Sequence, residues 1–153
     1  MPAPYHGGCQ CGRVRYEIRG EPLAVYACHC RECQRQSASA FGLSMPVHRK
    51  DVVMSGAAPK RFIRQAKSGR TVTGAFCETC GTRLFHEPSG EADTVNIKPG
   101  TLDDPSWIEP VAHVWLRSRQ PWVVVPEGVL RYDEQPPNRD AIYARWRARS
   151  TRR

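Results

Sequence analysis

The residues of this chain with most chemistry to offer are seven cysteines in three tight groups: Cys9-Gln10-Cys11, Cys28-His29-Cys30-Arg31-Glu32-Cys33 and Cys77-Glu78-Thr79-Cys80. A structural zinc takes four protein ligands, whereas a catalytic zinc takes three and keeps one position open. Seven thiols therefore divide as four plus three, which implies one closed and one open zinc, two ions per chain. An odd count is not what a disulfide framework requires. A thioredoxin-like pair would open a helix, but Cys77 and Cys80 follow the strand-like Thr71-Val72-Thr73-Gly74-Ala75-Phe76 and precede Gly81.

Cys9 and Cys11 lie two apart, so on an extended segment both side chains leave the same face and can approach one metal. Cys77-Glu78-Thr79-Cys80-Gly81 has the spacing of a zinc knuckle, a tight turn that aims two thiolates and several N–H groups at an ion. Joined across the fold, the two pairs supply four sulfurs and leave no vacant position, which makes a staple. Cys28, Cys30 and Cys33 combine a CxC with a CxxC and can fill three corners of a tetrahedron. Two readings of the fourth corner stand open: water or substrate, or closure by His29, His48, His86, His113 or a carboxylate. His29 lies between two expected ligands, so its ring should turn away from the ion, either to bond the backbone or to carry a proton. Arg31 and Arg35 stand beside the cluster, where they could offset thiolate charge or meet a substrate carboxylate, or simply face water.

The elements that must position these groups read as a mainly β protein, since short alternating segments are separated by thirteen prolines and twelve glycines. Val14, Tyr16 and Ile18 alternate with Arg15 and Glu17 directly after the first cysteine pair. Further strands are expected at Leu23–Ala27, Phe41–Val47, Arg61–Arg64, Val72–Phe76, Arg83–His86, Thr94–Lys98 and Val111–Trp115, with one helical turn at Glu32–Gln36. Only the end reads as a longer helix: Asn138 can cap it, and Ile142, Tyr143 and Trp146 share a face. Trp107, Trp115, Trp122, Phe41 and Phe85 are expected to fill the core. The Gln135-Pro136-Pro137 break sets a domain at residues 1–135 and a basic tail at 136–153.

A length of 153 residues suits one domain. No segment reaches the roughly 18 apolar residues of a membrane span, and Met1 to Gly8 lacks the apolar core of a signal peptide, so a cytoplasmic protein without a membrane partner is expected. There thiols stay reduced, which favours metal over disulfides. Two Zn²⁺ ions and seven thiolates would lower the formal charge from +8 to +5. Part of this surplus is Arg145, Arg147, Arg149, Arg152 and Arg153, either a solvated helix end or, more weakly, a nucleic-acid contact.

The run His6-Gly7-Gly8-Cys9-Gln10-Cys11-Gly12, then CHCRECQ with Ser37 and Phe41, then Phe76-Cys77-Glu78-Thr79-Cys80-Gly81 and Pro99-Gly100-Thr101-Leu102-Asp103-Asp104-Pro105 resembles the glutathione-dependent formaldehyde-activating enzyme (GFA) family, also called the centromere protein V family. His113-Val114-Trp115 and Pro121-Trp122 resemble its C-terminal part, and the match runs from about His6 to Tyr132. The resemblance implies a β-tent fold of short antiparallel strands with two zinc ions. It gives Cys9, Cys11, Cys77 and Cys80 to a structural zinc and Cys28, Cys30 and Cys33 to a catalytic one, the same division reached by counting ligands. It further implies carbon–sulfur lyase chemistry, the reversible joining of glutathione and formaldehyde into S-hydroxymethylglutathione. A zinc with three thiolates is a weak Lewis acid and suits a soft fourth ligand, so direct thiolate binding is expected. The alternative from another class is a noncatalytic zinc scaffold that binds nucleic acid or a protein through its basic tail.

Overall fold

The computed structural model describes residues 3–66 and 69–150. In chain order the elements are β1 (Tyr5–Gly8), β2 (Val14–Ile18), β3 (Tyr26–Cys28), α1 (Arg31–Ser37), β4 (Gly42–His48), β5 (Val52–Gly56), β6 (Lys60–Gln65), β7 (Thr71–Phe76), β8 (Arg83–Pro88), β9 (Thr94–Ile97), β10 (Ala112–Val114), β11 (Leu130–Arg131) and α2 (Asp140–Ser150). The mainly β character and the C-terminal helix are as the sequence predicts. No helix among the described residues is long and apolar enough to cross a membrane.

The chain divides into two compact units that interleave in sequence. One comprises the residues up to Pro22 together with Pro46–Trp107, the other Leu23–Met45 together with the residues from Ile108 on. In the first, β1, β2 and β5 form an antiparallel sheet, with Tyr5 opposite Ile18 and Ile18 opposite Val52. The alternation of β2 is that of a half-buried strand: Val14, Tyr16 and Ile18 are buried, while Arg15 and Glu17 are partly exposed. Strands β6, β7, β8 and β9 make a second antiparallel ladder, in which Gly74 stands between Phe62 and His86. Phe85, Val95 and Ile97 are buried on one face of this ladder and Leu84 on the other.

In the second unit the strand order is β11-β10-β3-β4. β3 and β4 are antiparallel, but β10 runs parallel to both β3 and β11, a departure from the antiparallel strands expected throughout. β3 and β10 are distant in sequence, so no hairpin imposes an antiparallel pairing on them. Both are buried along their whole length, as the inner position in this order requires. The Asn138 side chain accepts from the Asp140 N–H at 3.0 Å, and α2 buries Ile142 and Trp146. Trp122 is not a core residue: it is 73% exposed, because the guanidinium of Arg119 binds the carbonyls of Pro121 and Val123 and Val123 turns inward in its place. Of the terminal arginines, Arg149 is engaged by Glu109, donating to its carbonyl at 2.9 Å and its carboxylate at 2.5 Å. Arg145 and Arg147 are exposed, and Arg152 and Arg153 lie outside the described residues.

The first unit carries a small charged cluster. Glu87 on β8, its side chain 14% exposed, accepts from the guanidinium groups of Arg49 and Arg61. Burial opposes ionisation of its carboxyl, but the two arginines outweigh it and hold the group below the ordinary glutamate range. Because the folded state lowers this pKa, the cluster's contribution is complete above the ordinary value and is lost as the pH falls through the lowered one. Glu87→Gln should therefore lower stability by about 1–2 kcal/mol at neutral pH. In urea titrations the gap from the parent should close as the pH drops below 4.5; a gap that persists in acid would assign the loss to packing.

Candidate metal centres

In the first unit, two turns present four sulfurs to one another. The Cys9 N–H bonds the Val14 carbonyl, and the Gly12 N–H returns to the Cys9 carbonyl, both at 3.0 Å, so the chain between β1 and β2 is a closed turn. The Gly81 N–H bonds the Cys77 carbonyl at 2.8 Å, and the Cys77 N–H bonds the Thr82 carbonyl at 2.9 Å, closing a second turn between β7 and β8. Gly12 and Gly81 end these turns at φ +77° and +75°, in the left-handed region that a side chain disfavours. Cys9, Cys11, Cys77 and Cys80 thereby place their Sγ atoms within 4.8 Å of one another. Cys11 Sγ is 3.5 Å from Cys9 and 3.7 Å from Cys77.

The Pro99–Asp103 stretch braces this arrangement. Leu102 bridges Gly7, the Asp103 N–H bonds the His6 carbonyl at 2.9 Å, and the Tyr16 hydroxyl bonds Thr101 Oγ1 at 2.7 Å. Arg15 and Asp103 add a two-pronged ion pair, one prong at 2.9 Å. The strands on either side of Cys9 and Cys11 are thus fixed from outside the sheet.

The four thiols are in electrostatic conflict. Burial opposes ionisation of Cys9, but the Val14 N–H and the thiols of Cys11 and Cys77 prevail and lower its pKa. Cys80 is held down to about 5 by the Thr82 hydroxyl at 3.2 Å and its N–H. At Cys11 the Arg13 N–H favours the thiolate, yet desolvation and the other three sulfurs push the thiol up to about 11. A cation is the group that lets such neighbours ionise together, so the donor set fits zinc, with softness and count those of a closed site.

The second unit holds the other three cysteines. Cys28 closes β3, opposite Gly42 on β4 and Val114 on β10. Cys30 is the N-cap of α1, its sulfur accepting the Cys33 N–H at 3.4 Å, and Cys33 lies on the first turn. A Cβ at Gly42 would stand 3.2 Å from the Cys33 Cβ, so the glycine lets the helix lie close to the strand. The three Sγ atoms lie within 4.8 Å of one another, and among the described residues no histidine or carboxylate joins them. None of His29, His48, His86 and His113 is a member. Cys28 is buried, while Cys30 and Cys33 are partly exposed. The neighbouring thiols of Cys28 and Cys33, then backbone N–H groups, hold Cys30 low, whereas the Cys30 and Cys33 sulfurs and burial raise Cys28. This donor set also fits a soft cation, with three protein ligands.

His29 turns from this cluster, as expected, but to a partner the sequence did not suggest. Its Nε2 lies 2.8 Å from His113 Nδ1, with the rings stacked 5.1 Å apart, and its N–H bonds the Val114 carbonyl at 3.0 Å. Burial, then His113 and Arg119, bring His29 down to about 4, and burial and Arg131 lower His113. Both shifts favour the neutral rings, one of which donates to the other. Arg31 bonds Gln34 Oε1 at 2.5 Å, and Arg35 is exposed, 4.0 Å from Glu32. Gln34, Gln120 and Thr82 were not singled out by sequence, although Gln34 directly follows the last cysteine of the trio; a glutamine carries no signal of its own burial.

A crystal structure of a Rhodobacter sphaeroides protein, a structural-genomics target, has a similar fold, with a TM-score of 0.53 and 20% identity over 83% of this chain and 98% of that one. The family described as glutathione-dependent formaldehyde-activating enzyme matches residues 4–118, a stretch that includes all seven cysteines and the bracing motif after Pro99. On that match the chain belongs to the glutathione-dependent formaldehyde-activating enzyme family.

Proposed function

We propose that this protein is a zinc-dependent carbon–sulfur lyase that reversibly adds a small thiol, glutathione or similar, to an aldehyde such as formaldehyde. The observation that carries the reading is the trio of Cys28, Cys30 and Cys33 within 4.8 Å of one another, which no described histidine or carboxylate completes. Zinc bound there supplies positive charge that keeps a substrate thiol ionised near neutral pH and draws electrons from an aldehyde oxygen.

The protein's own part is positional. Cys28 holds the buried side of the centre between two strands, and Cys30 and Cys33 hold it from a helix start. The exposure of the last two makes theirs the side from which substrate arrives. In the forward direction the thiol gives up its proton and its sulfur bonds the aldehyde carbon. The carbonyl oxygen gains a proton and becomes a hydroxyl; the reverse breaks the same carbon–sulfur bond. Glutathione and formaldehyde are the substrates that family membership suggests. The second group, Cys9, Cys11, Cys77 and Cys80, is the staple: it ties the β1–β2 turn to the β7–β8 turn with no position left for substrate. A scaffold that binds nucleic acid through its tail would rest, among the described residues, on the exposed Arg145 and Arg147, because Arg149 is engaged by Glu109.

Two substitutions separate the roles. Cys30→Ser should reduce bound zinc from two per chain to one and lower exchange between S-hydroxymethylglutathione and its components, followed by NMR, by roughly 100-fold or more. Its melting temperature should fall by only a few degrees, and undiminished exchange would rule out the mechanism. Cys77→Ser should instead cost roughly 10 °C or more in melting temperature, because binding energy at a structural site is folding energy. Calorimetry with and without chelator checks this, and a stable, chelator-insensitive variant would remove the staple.

A further inference from the structure

We infer that Gln34 is the positioning residue of the three-sulfur centre: its one side-chain amide fixes the segments between the cysteines and ties them to residues 118–120. The inference rests on reading Cys28, Cys30 and Cys33 as a metal centre.

Gln34 is 5% exposed. Its Nε2 donates to the His29 carbonyl at 2.7 Å and to the Ser118 carbonyl at 2.8 Å. Its Oε1 accepts from the Arg31 guanidinium at 2.5 Å and from Gln120 Nε2 at 2.9 Å. A primary amide has two donor hydrogens and two acceptor lone pairs, and here all four are used. Its orientation is fixed too, because exchanging N and O would set an oxygen against two carbonyls and an NH₂ against two donors.

The positions of these partners give the amide its significance. His29 is the residue between Cys28 and Cys30, Arg31 follows Cys30, and Gln34 itself follows Cys33. Its own N–H bonds the Cys30 carbonyl at 3.0 Å. One residue thus grips the chain beside each of the three sulfurs. Helix α1 does not need this amide in order to form, since Cys30 caps its start and the N–H of left-handed Ala38 closes its end. The other anchors, Ser118 and Gln120, follow the turn at Trp115, itself held at φ +61°. Partners of this kind, one bond removed from the ligands, set ligand geometry and hence affinity.

The test uses the full chain loaded with Co²⁺, whose thiolate charge-transfer bands report each centre during competition with a chelator. Cys30→Ser identifies the phase that belongs to the trio. Gln34→Met keeps the length of the side chain and loses all four bonds. It should weaken the three-sulfur centre by about 10–100-fold while the four-sulfur centre, as internal control, stays within about 2-fold. Gln120→Met, which leaves the His29 and Ser118 bonds in place, should give a loss of about 3-fold in the same phase, and it decides the matter alone if Gln34→Met does not fold. Wild-type binding of two metals with an unchanged trio phase in the variants, or an equal loss at both centres, overturns the positioning role alone. Uptake of a single metal by the wild type overturns the reading of the trio and this inference with it.

Discussion

Neighbouring sulfurs cannot all be ionised in a protein interior unless a cation stands among them. Both cysteine groups of this chain meet that constraint in the form of conflict: in each, hydrogen bonds draw one sulfur toward thiolate, while neighbouring sulfurs and burial hold another as thiol. The fold nonetheless holds them within 4.8 Å, through turns closed by backbone hydrogen bonds and strands paired in register. Local geometry that would be costly for uncompensated thiolates is the geometry a soft divalent cation requires.

The two groups differ in how they are assembled, and on the proposed reading this difference is what would separate a staple from a reactive centre. Cys11 and Cys77 are 66 positions apart, so a metal among the four would close a long loop and support folding. The trio spans a strand end and the first turn of a helix, so a metal there would crosslink little. The trio is held instead by Gln34, by Gly42 beneath Cys33, and by the ladder on either side of Cys28. A centre that closes no long loop, has three protein ligands and is partly exposed is suited to chemistry more than to stability.

Most of this was legible because thiol spacing is a local code. Strands with clear alternation, such as β2, or with apolar runs bounded by turns, such as β4 and β7, were legible for the same reason. β1 was not, because two of its residues are glycines and it forms only against β2. β5 is largely exposed and shows no alternation, and β11 is two residues set down beside β10. The parallel pairing of β10 with β3 depends on contacts far apart in sequence, which periodicity cannot express. At the site, the cysteines were evident and their supports were not: Gln34, Gln120 and His113 act through tertiary hydrogen bonds, and residue type alone says nothing of those. Trp122 failed as a core residue for a related reason, since Arg119 decides which side of that loop faces inward.

The central claim is that seven sulfurs serve two cations as four and three. X-ray absorption at the zinc edge of the fully loaded protein measures this directly. Two zinc ions per chain should show a mean sulfur coordination midway between three and four with a lighter atom making up the remainder, and it should rise to four when glutathione is added. Four sulfurs per zinc before any thiol is added, or a histidine signature in the shell, would contradict it.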